Sequence, residues 1–185
     1  YSYGVSNDVS FELDFLNKSP NAKVRLFDHT IDKLPENHPN FSFTKEGVSH
    51  FKNEHLNTIE SHLSLFGDTH LTNKTLKIDV EWAEWGVFEN MSEQTLSGFD
   101  QILCEFHTVP VIYKDSHSPH FTEFHKFIYS EINGLLFERY SRILNRIFKH
   151  YYAYHVHLNN SLELTEVLGE MIPSLVELSL VNKNL

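Results

Sequence analysis

The stretch Leu76-Lys77-Ile78-Asp79-Val80-Glu81-Trp82-Ala83-Glu84-Trp85 changes its periodicity partway along. Leu76, Ile78 and Val80 alternate with Lys77, Asp79 and Glu81, which is the period of two of a half-buried strand. After Glu81 the pattern fits an acidic first helical turn, where the helix dipole favours negative charge. A strand that runs directly into a helix is the repeating unit of an α/β fold, and the same succession recurs on both sides.

Upstream, Tyr1-Ser2-Tyr3 leads into a turn, Val24-Arg25-Leu26-Phe27 is a short β-rich run, and Phe41-Ser42-Phe43-Thr44 is a weaker one. Downstream, residues 101–106, 152–157 and 175–181 read as further strands. Helical spacing appears between them. A short helix over Asp8–Lys18 has Asp8 as N-cap, with Phe11 and Phe15 on one face. Leu56, Ile59, Leu63 and Phe66 recur at spacings of three and four, and Gly67 follows as a C-terminal cap. The longest periodic stretch runs from Phe121 through Phe124, Ile128, Ile132, Leu135, Leu136, Ile143 and Ile147 to Phe148, and Gly134 is expected to divide it into two helices. A loop containing Pro173 separates strands 152–157 and 175–181, which suits an antiparallel pair at one sheet edge. The expectation is one α/β domain over 1–185, with a mostly parallel sheet, an antiparallel edge strand and helices on both faces.

Composition narrows the function. With 185 residues, 41% hydrophobic and 22% charged, the chain has the balance of a globular protein with a sizeable core. A formal charge of -10 repels phosphates, which argues against a nucleic-acid backbone or an anionic membrane as partner. The single cysteine, Cys104, excludes an internal disulfide framework and any multi-cysteine zinc site. Its position between Leu103 and Glu105 in a strand suggests a buried, inert thiol. Seven glycines are present, where average usage of about 7% gives roughly 13. Neither a P-loop nor G-x-G-x-x-G occurs, and no G-x-S-x-G elbow supports a serine nucleophile. No run of 18 apolar residues is present to span a membrane. The chain starts at Tyr1, directly in a structural segment, so residues upstream are expected. A cytoplasmic location is the default for a lone free cysteine.

In an open α/β sheet, ligands bind beyond the carboxyl ends of the strands, where strand order reverses. That rule selects Gly4–Asp8, Asp28, Asp79–Trp82 and Glu105–Thr108. Gly4 permits a close backbone approach, and Ser6 and Asn7 offer polar contacts near a helix N-terminus. Asp28 follows Gly4 by 24 positions, and an acid about 20 residues after such a turn is where nucleoside-binding folds hold ribose hydroxyls. The plainer reading is a turn glycine and a capping aspartate. Asp79 and Glu81 point to one face at a strand end, where paired carboxylates raise each other's pKa or grip a cation or hydroxyl. Thirteen histidines include His155-x-His157, which places two imidazoles on one strand face as metal ligands would be placed. His107, His117, His120 and His125 are further candidates, and polar pocket histidines are the commoner outcome.

Several segments resemble a known family. Lys77-Ile78-Asp79-Val80-Glu81-Trp82-Ala83-Glu84-Trp85 is similar to the K-I-D-I-E-G-A-E-W signature of FkbM-like and related S-adenosylmethionine-dependent methyltransferases. Gly4-Val5-Ser6-Asn7-Asp8-Val9-Ser10-Phe11-Glu12 resembles that group's first nucleotide-binding turn, G-x-G-x-D-x-S-F-E. Phe27-Asp28-His29-Thr30 resembles its F-D-P-T, Ile102-Leu103-Cys104-Glu105-Phe106-His107 its L-x-x-E-F-H, and His155-Val156-His157-Leu158-Asn159-Asn160 its H-x-H-x-N-N. The ordered matches run from Tyr3 to about Leu180. Ser6 and Trp82 stand where the family has glycine.

The resemblance implies a Rossmann-like class I methyltransferase sheet of seven strands, the last antiparallel, and S-adenosylmethionine as cofactor. Gly4, Ser6, Asn7, Asp28 and Asp79 would then bind the cofactor. Glu81, His107 and His155 would be candidate catalytic bases, and Glu105, His157 and Asn159 would line the acceptor side. The implied reaction is O-methylation of a sugar or small-molecule hydroxyl, with no metal required. Two alternatives stand beside it: a methyltransferase-like binding module without catalysis, and a metal-dependent enzyme built on His155 and His157.

Overall fold

The computed structural model describes residues 1–108, 123–159, 164–167 and 170–185. In chain order they form β1 (Ser2–Tyr3), α1 (Ser10–Lys18), β2 (Val24–Phe27), β3 (Phe41–Thr44), β4 (Gly47–Val48), β5 (Leu56–Asn57) and α2 (Ile59–Leu65). There follow β6 (Thr75–Ile78), α3 (Ala83–Asn90), α4 (Glu93–Leu96), β7 (Gln101–His107), α5 (Glu123–His150), β8 (Tyr151–Leu158), β9 (Leu164–Val167), β10 (Glu170–Pro173) and β11 (Leu175–Asn182).

Seven strands make one mixed sheet in the order β3-β2-β1-β6-β7-β11-β8. The pairs from β3 to β7 are all parallel. β11 runs antiparallel to both β7 and β8. The reversed strand is therefore one place in from the edge, and β8 itself occupies the edge.

Both faces of the sheet carry helices because the strand residues alternate. On β2, Leu26 joins Val9, Leu16 and Leu34 in a core beneath α1, while its neighbour Phe27 joins the larger core on the opposite face. That larger core unites Tyr3, Ile78, Cys104 and Phe106 from the strands with Ile59 and Leu63 of α2, Trp85 and Phe88 of α3, and Ile143 and Ile147 of α5. Trp85 is its anchor. Its ring stacks on Tyr140 at 3.9 Å, and its Nε1 donates to the His107 carbonyl at 2.7 Å.

Several expectations are corrected. α1 begins at Ser10 with Val9 as N-cap; Asp8 serves the same end by accepting from Ser10 N at 2.8 Å. Leu16 is buried on α1, whereas Phe11 remains partly exposed. Leu56 belongs to β5, and α2 starts after Thr58, whose side chain accepts from Ser61 N. Gly67 adopts a φ of 69°, the left-handed turn that ends this helix. α5 passes through Gly134 without a break. A helix-interior glycine weakens a helix by only about 1 kcal/mol, and the packing of Tyr140, Ile143 and Ile147 outweighs it. Pro173 ends β10, which pairs antiparallel with β9. Phe121, with His117 and His120, lies outside the described residues.

Candidate active site

Chain order reverses between β1 and β6. From β1 the sheet grows through β2 to β3, and the chain then returns to lay β6 and β7 on the other side. A crevice opens at such a point because the following helices diverge to opposite faces. Its walls are the turn after β1, Gly4–Asp8, and the turn after β6, Asp79–Trp82.

The two turns touch at Gly4, whose φ is 76°. A side chain there would place its Cβ 1.6 Å from the carbonyl oxygen of Asp79. Gly4 is thus required for the contact between the two turns, in addition to any ligand. Lys77 Nζ donates to the Gly4 carbonyl at 3.4 Å. Asp28, at the end of β2, ties the first turn down. Its Oδ2 accepts from Ser6 N at 2.7 Å, and its Oδ1 accepts from Thr30 N at 2.7 Å and Thr30 Oγ1 at 2.6 Å. Burial pushes the Asp28 carboxyl up, but the hydrogen bonds from Thr30 and Ser6 outweigh it and hold the group below the usual carboxylate range. Three of its roughly four acceptor positions are committed, so one is left for a ligand hydroxyl.

The second turn is charged and less satisfied. Asp79, Glu81 and His107 each offer a ligand-type atom, and these atoms lie within 4.8 Å of one another. His107, at the end of β7, is nearly buried and meets three carboxylates. Its Nδ1 is 3.0 Å from Glu84 Oε1, and its Nε2 lies 3.3 Å from Glu81 Oε2 and 3.8 Å from Glu105 Oε1. Glu84, fully buried on α3, also accepts from Val80 N at 2.9 Å through Oε1, while its Oε2 has no hydrogen-bond partner among the described residues. Burial raises the Asp79 carboxyl despite the opposing charges of Lys77 and His107. Burial also raises Glu105, helped by the charge of Asp79. At His107 burial works downward, but the Glu84 hydrogen bond and the charges of Glu84, Glu81 and Asp79 prevail and raise its pKa.

Backbone strain gathers at the same place. Glu81 and Trp82 have φ values of 50° and 81°, and Ser6 across the crevice has 50°. Side chains other than glycine adopt this region at a cost of about 1–3 kcal/mol. Trp82 is 42% exposed, and its ring centroid lies 5.7 Å from that of His107.

The remaining expected residues sit further along the sheet. Glu105, Glu177 and His157 stand opposite one another across β7, β11 and β8. His157 Nδ1 is 3.3 Å from Glu177 Oε2. His155 lies opposite Ser179 on β8, two strands from β7 and hence roughly 10 Å away. Asn159 follows β8, and its backbone N–H donates to Leu175 O at 3.3 Å. Among the described residues His155 and His157 join no group of three metal-ligand side chains. Asn7 is exposed in the first turn.

Sequence reasoning missed Glu84, which reads as an ordinary helix-dipole acid. Its position three residues after Glu81, at the start of a helix carrying the buried Trp85, is the signal that could have found it. A separate cavity of about 330 Å³ opens at the amino ends of β1, β2 and β6, lined by Tyr1, Phe15, Lys23, Arg25, Asp68 and Leu71. It lies away from the carboxyl ends where the charged groups converge.

Fold and site together define an α/β protein with a seven-stranded mixed sheet and a cluster of acidic side chains around His107 beside its switch point. Compared with models of protein families, with curated proteins and with solved structures, the chain gives no significant match.

Proposed function

We propose that the chain is an S-adenosylmethionine-dependent methyltransferase acting on a hydroxyl of a sugar or another small molecule. The observation that carries this reading is the sheet order. Seven strands with only the last reversed, inserted beside the edge, is the class I methyltransferase arrangement. Two of the quoted family motifs, Gly4–Glu12 and Lys77–Trp85, flank its switch point. The two positions at which the resemblance expects glycine, Ser6 and Trp82, are also positions where the backbone takes the left-handed region.

The donor set suits the cofactor. An acidic crevice of Asp79, Glu81 and Glu105 favours a ligand whose reactive centre is a sulfonium cation. Gly4, Ser6 and Asn7 would meet its methionine portion, and the remaining acceptor position of Asp28 would take a ribose hydroxyl. When bound, the cofactor supplies an activated methyl group, and the protein's task is alignment. The acceptor hydroxyl must lose a proton. Glu84 holds the Nδ1 side of His107 and leaves Nε2 turned toward Glu81, so His107 and Glu81 are the bases in position. His155, out on β8, is the less suited of the candidates. His157 and Asn159 would line the far side of the acceptor site.

Titration calorimetry with S-adenosylhomocysteine tests this. Micromolar, one-to-one binding that Asp28→Asn weakens tenfold, about 1.4 kcal/mol, supports it. A folded chain that binds neither S-adenosylhomocysteine nor S-adenosylmethionine at millimolar concentration overturns it. A non-catalytic binding module is the second reading, and Trp82 favours it because its ring covers one side of His107. Cofactor binding that appears only in Ser6→Gly/Trp82→Gly protein would select that reading.

A further inference from the structure

The geometry points to a divalent-cation site formed by Asp79, Glu81 and His107, of the kind that takes Mn²⁺ or Zn²⁺. Oxygen and imidazole ligands stand about 2.0–2.2 Å from such a metal, so adjacent ligands lie about 3 Å apart. Glu81 Oε2 and His107 Nε2 are already 3.3 Å apart, and all three ligand atoms fall within 4.8 Å. The mixture of one nitrogen and two carboxylate oxygens suits a first-row transition metal or zinc better than calcium or magnesium.

Two observations separate this group from an ordinary exposed acidic patch. One is the support behind the imidazole. The Nδ1 side of His107 is held by Glu84 at 3.0 Å, which turns Nε2 to the other two ligands, and carboxylate–histidine pairs of this kind commonly support a metal ligand. The other is the state of Glu84 itself. It is completely buried against His107, and its Oε2 has no partner among the described residues. Burying carboxylates without compensation is unfavourable by several kcal/mol per ion. Glu84 is such a group, and the half-buried Asp79 and Glu105 and the exposed Glu81 add three more carboxylates around one imidazole, while the neighbouring Lys77 directs its Nζ to the Gly4 carbonyl. A divalent cation supplies the missing positive charge.

With an ion bound, His107 Nε2 and Glu81 are ligands and no longer free bases, so the cofactor reading is tested separately, by its own titration in chelator-treated buffer. Titration of chelator-treated protein with Mn²⁺, followed by calorimetry and by the loss of free-ion electron paramagnetic resonance signal, is the direct test. One Mn²⁺ per chain is expected at micromolar affinity. Glu81→Gln and Asp79→Asn should each weaken it tenfold or more, and Glu84→Gln should weaken it by about tenfold through His107. Zn²⁺ should compete and Ca²⁺ should not. Glu81 is exposed, so its variant keeps the test readable even where a His107 variant fails to fold. Absence of saturable binding below millimolar Mn²⁺, or binding that Glu81→Gln and Asp79→Asn leave unchanged, overturns the proposal.

Discussion

Two acidic turns flank β1 at the carboxyl edge of the sheet, and the fold treats them in opposite ways. Asp28, after β2, has its carboxylate surrounded by donors: the Ser6 amide, the Thr30 amide and the Thr30 hydroxyl. Asp79, after β6, faces other carboxylates and one imidazole, beside a backbone bent through two successive left-handed residues. The first arrangement stabilises a loop. The second holds charge and strain that folding alone does not require, which is the condition in which functional groups are commonly kept.

Substitutions can break that contrast. The largest effect is expected at Gly4, where the turn after β1 meets the Asp79 backbone. Gly4→Ala combines a left-handed φ with a backbone clash at 1.6 Å, and denaturant unfolding should show a loss of about 3 kcal/mol or more. An unchanged midpoint would remove the close approach from the account.

Asp28→Ala comes next. It leaves two loop amides without their acceptor and should lower stability by about 2–3 kcal/mol. The pH dependence has a definite sign. Asp28 is depressed in the folded state, so its contribution is complete above the unfolded value of about 3.9 and is lost as pH falls through the folded one. The variant should therefore show a flatter acid limb in thermal melts than the parent; equal limbs would argue that Asp28 is not held this way.

Trp82→Gly should act in the other direction. Relief of the left-handed residue is worth about 1 kcal/mol, or about 2–4 °C in melting temperature. A fall in melting temperature would mean that the contact with His107 outweighs the strain. The smallest change is expected at Asp79→Asn in metal-free buffer. Removing one of several like charges should leave stability within about 1 kcal/mol of the parent, on the stabilising side. A loss comparable to that of Asp28→Ala would erase the distinction between the two turns.

Much of this was legible in the residues. The period of two over Leu76–Val80 located β6, and Val24–Phe27, Phe41–Thr44 and the two C-terminal runs located four more strands of the sheet. Asp79, Glu81 and His107 all stand out as site residues in the sequence because they lie at strand ends. What was hidden depends on tertiary contact. Nothing local to Gly134 says that Tyr140, Ile143 and Ile147 will carry one helix through it. Gly4 reads as room for a ligand until the Asp79 carbonyl fills the space. Asp28 reads as a free ribose acceptor until Ser6 and Thr30 occupy most of it. Glu84 reads as a helix-dipole acid, and only its burial beneath His107 shows otherwise. Local pattern reports which element a residue belongs to; partners 22 or 23 positions away, as in Ser6–Asp28 and Glu84–His107, are set by how the elements pack.

We propose that the switch point between β1 and β6 is where the cofactor binds. Hydrogen–deuterium exchange with and without S-adenosylhomocysteine tests it most directly, because it reports where binding occurs. Slowed exchange is expected in peptides covering Gly4–Asp8 and Asp79–Ala83, with no change around Phe15, Lys23 and Leu71. Protection confined to that second cavity, or no protection at millimolar ligand, would contradict it.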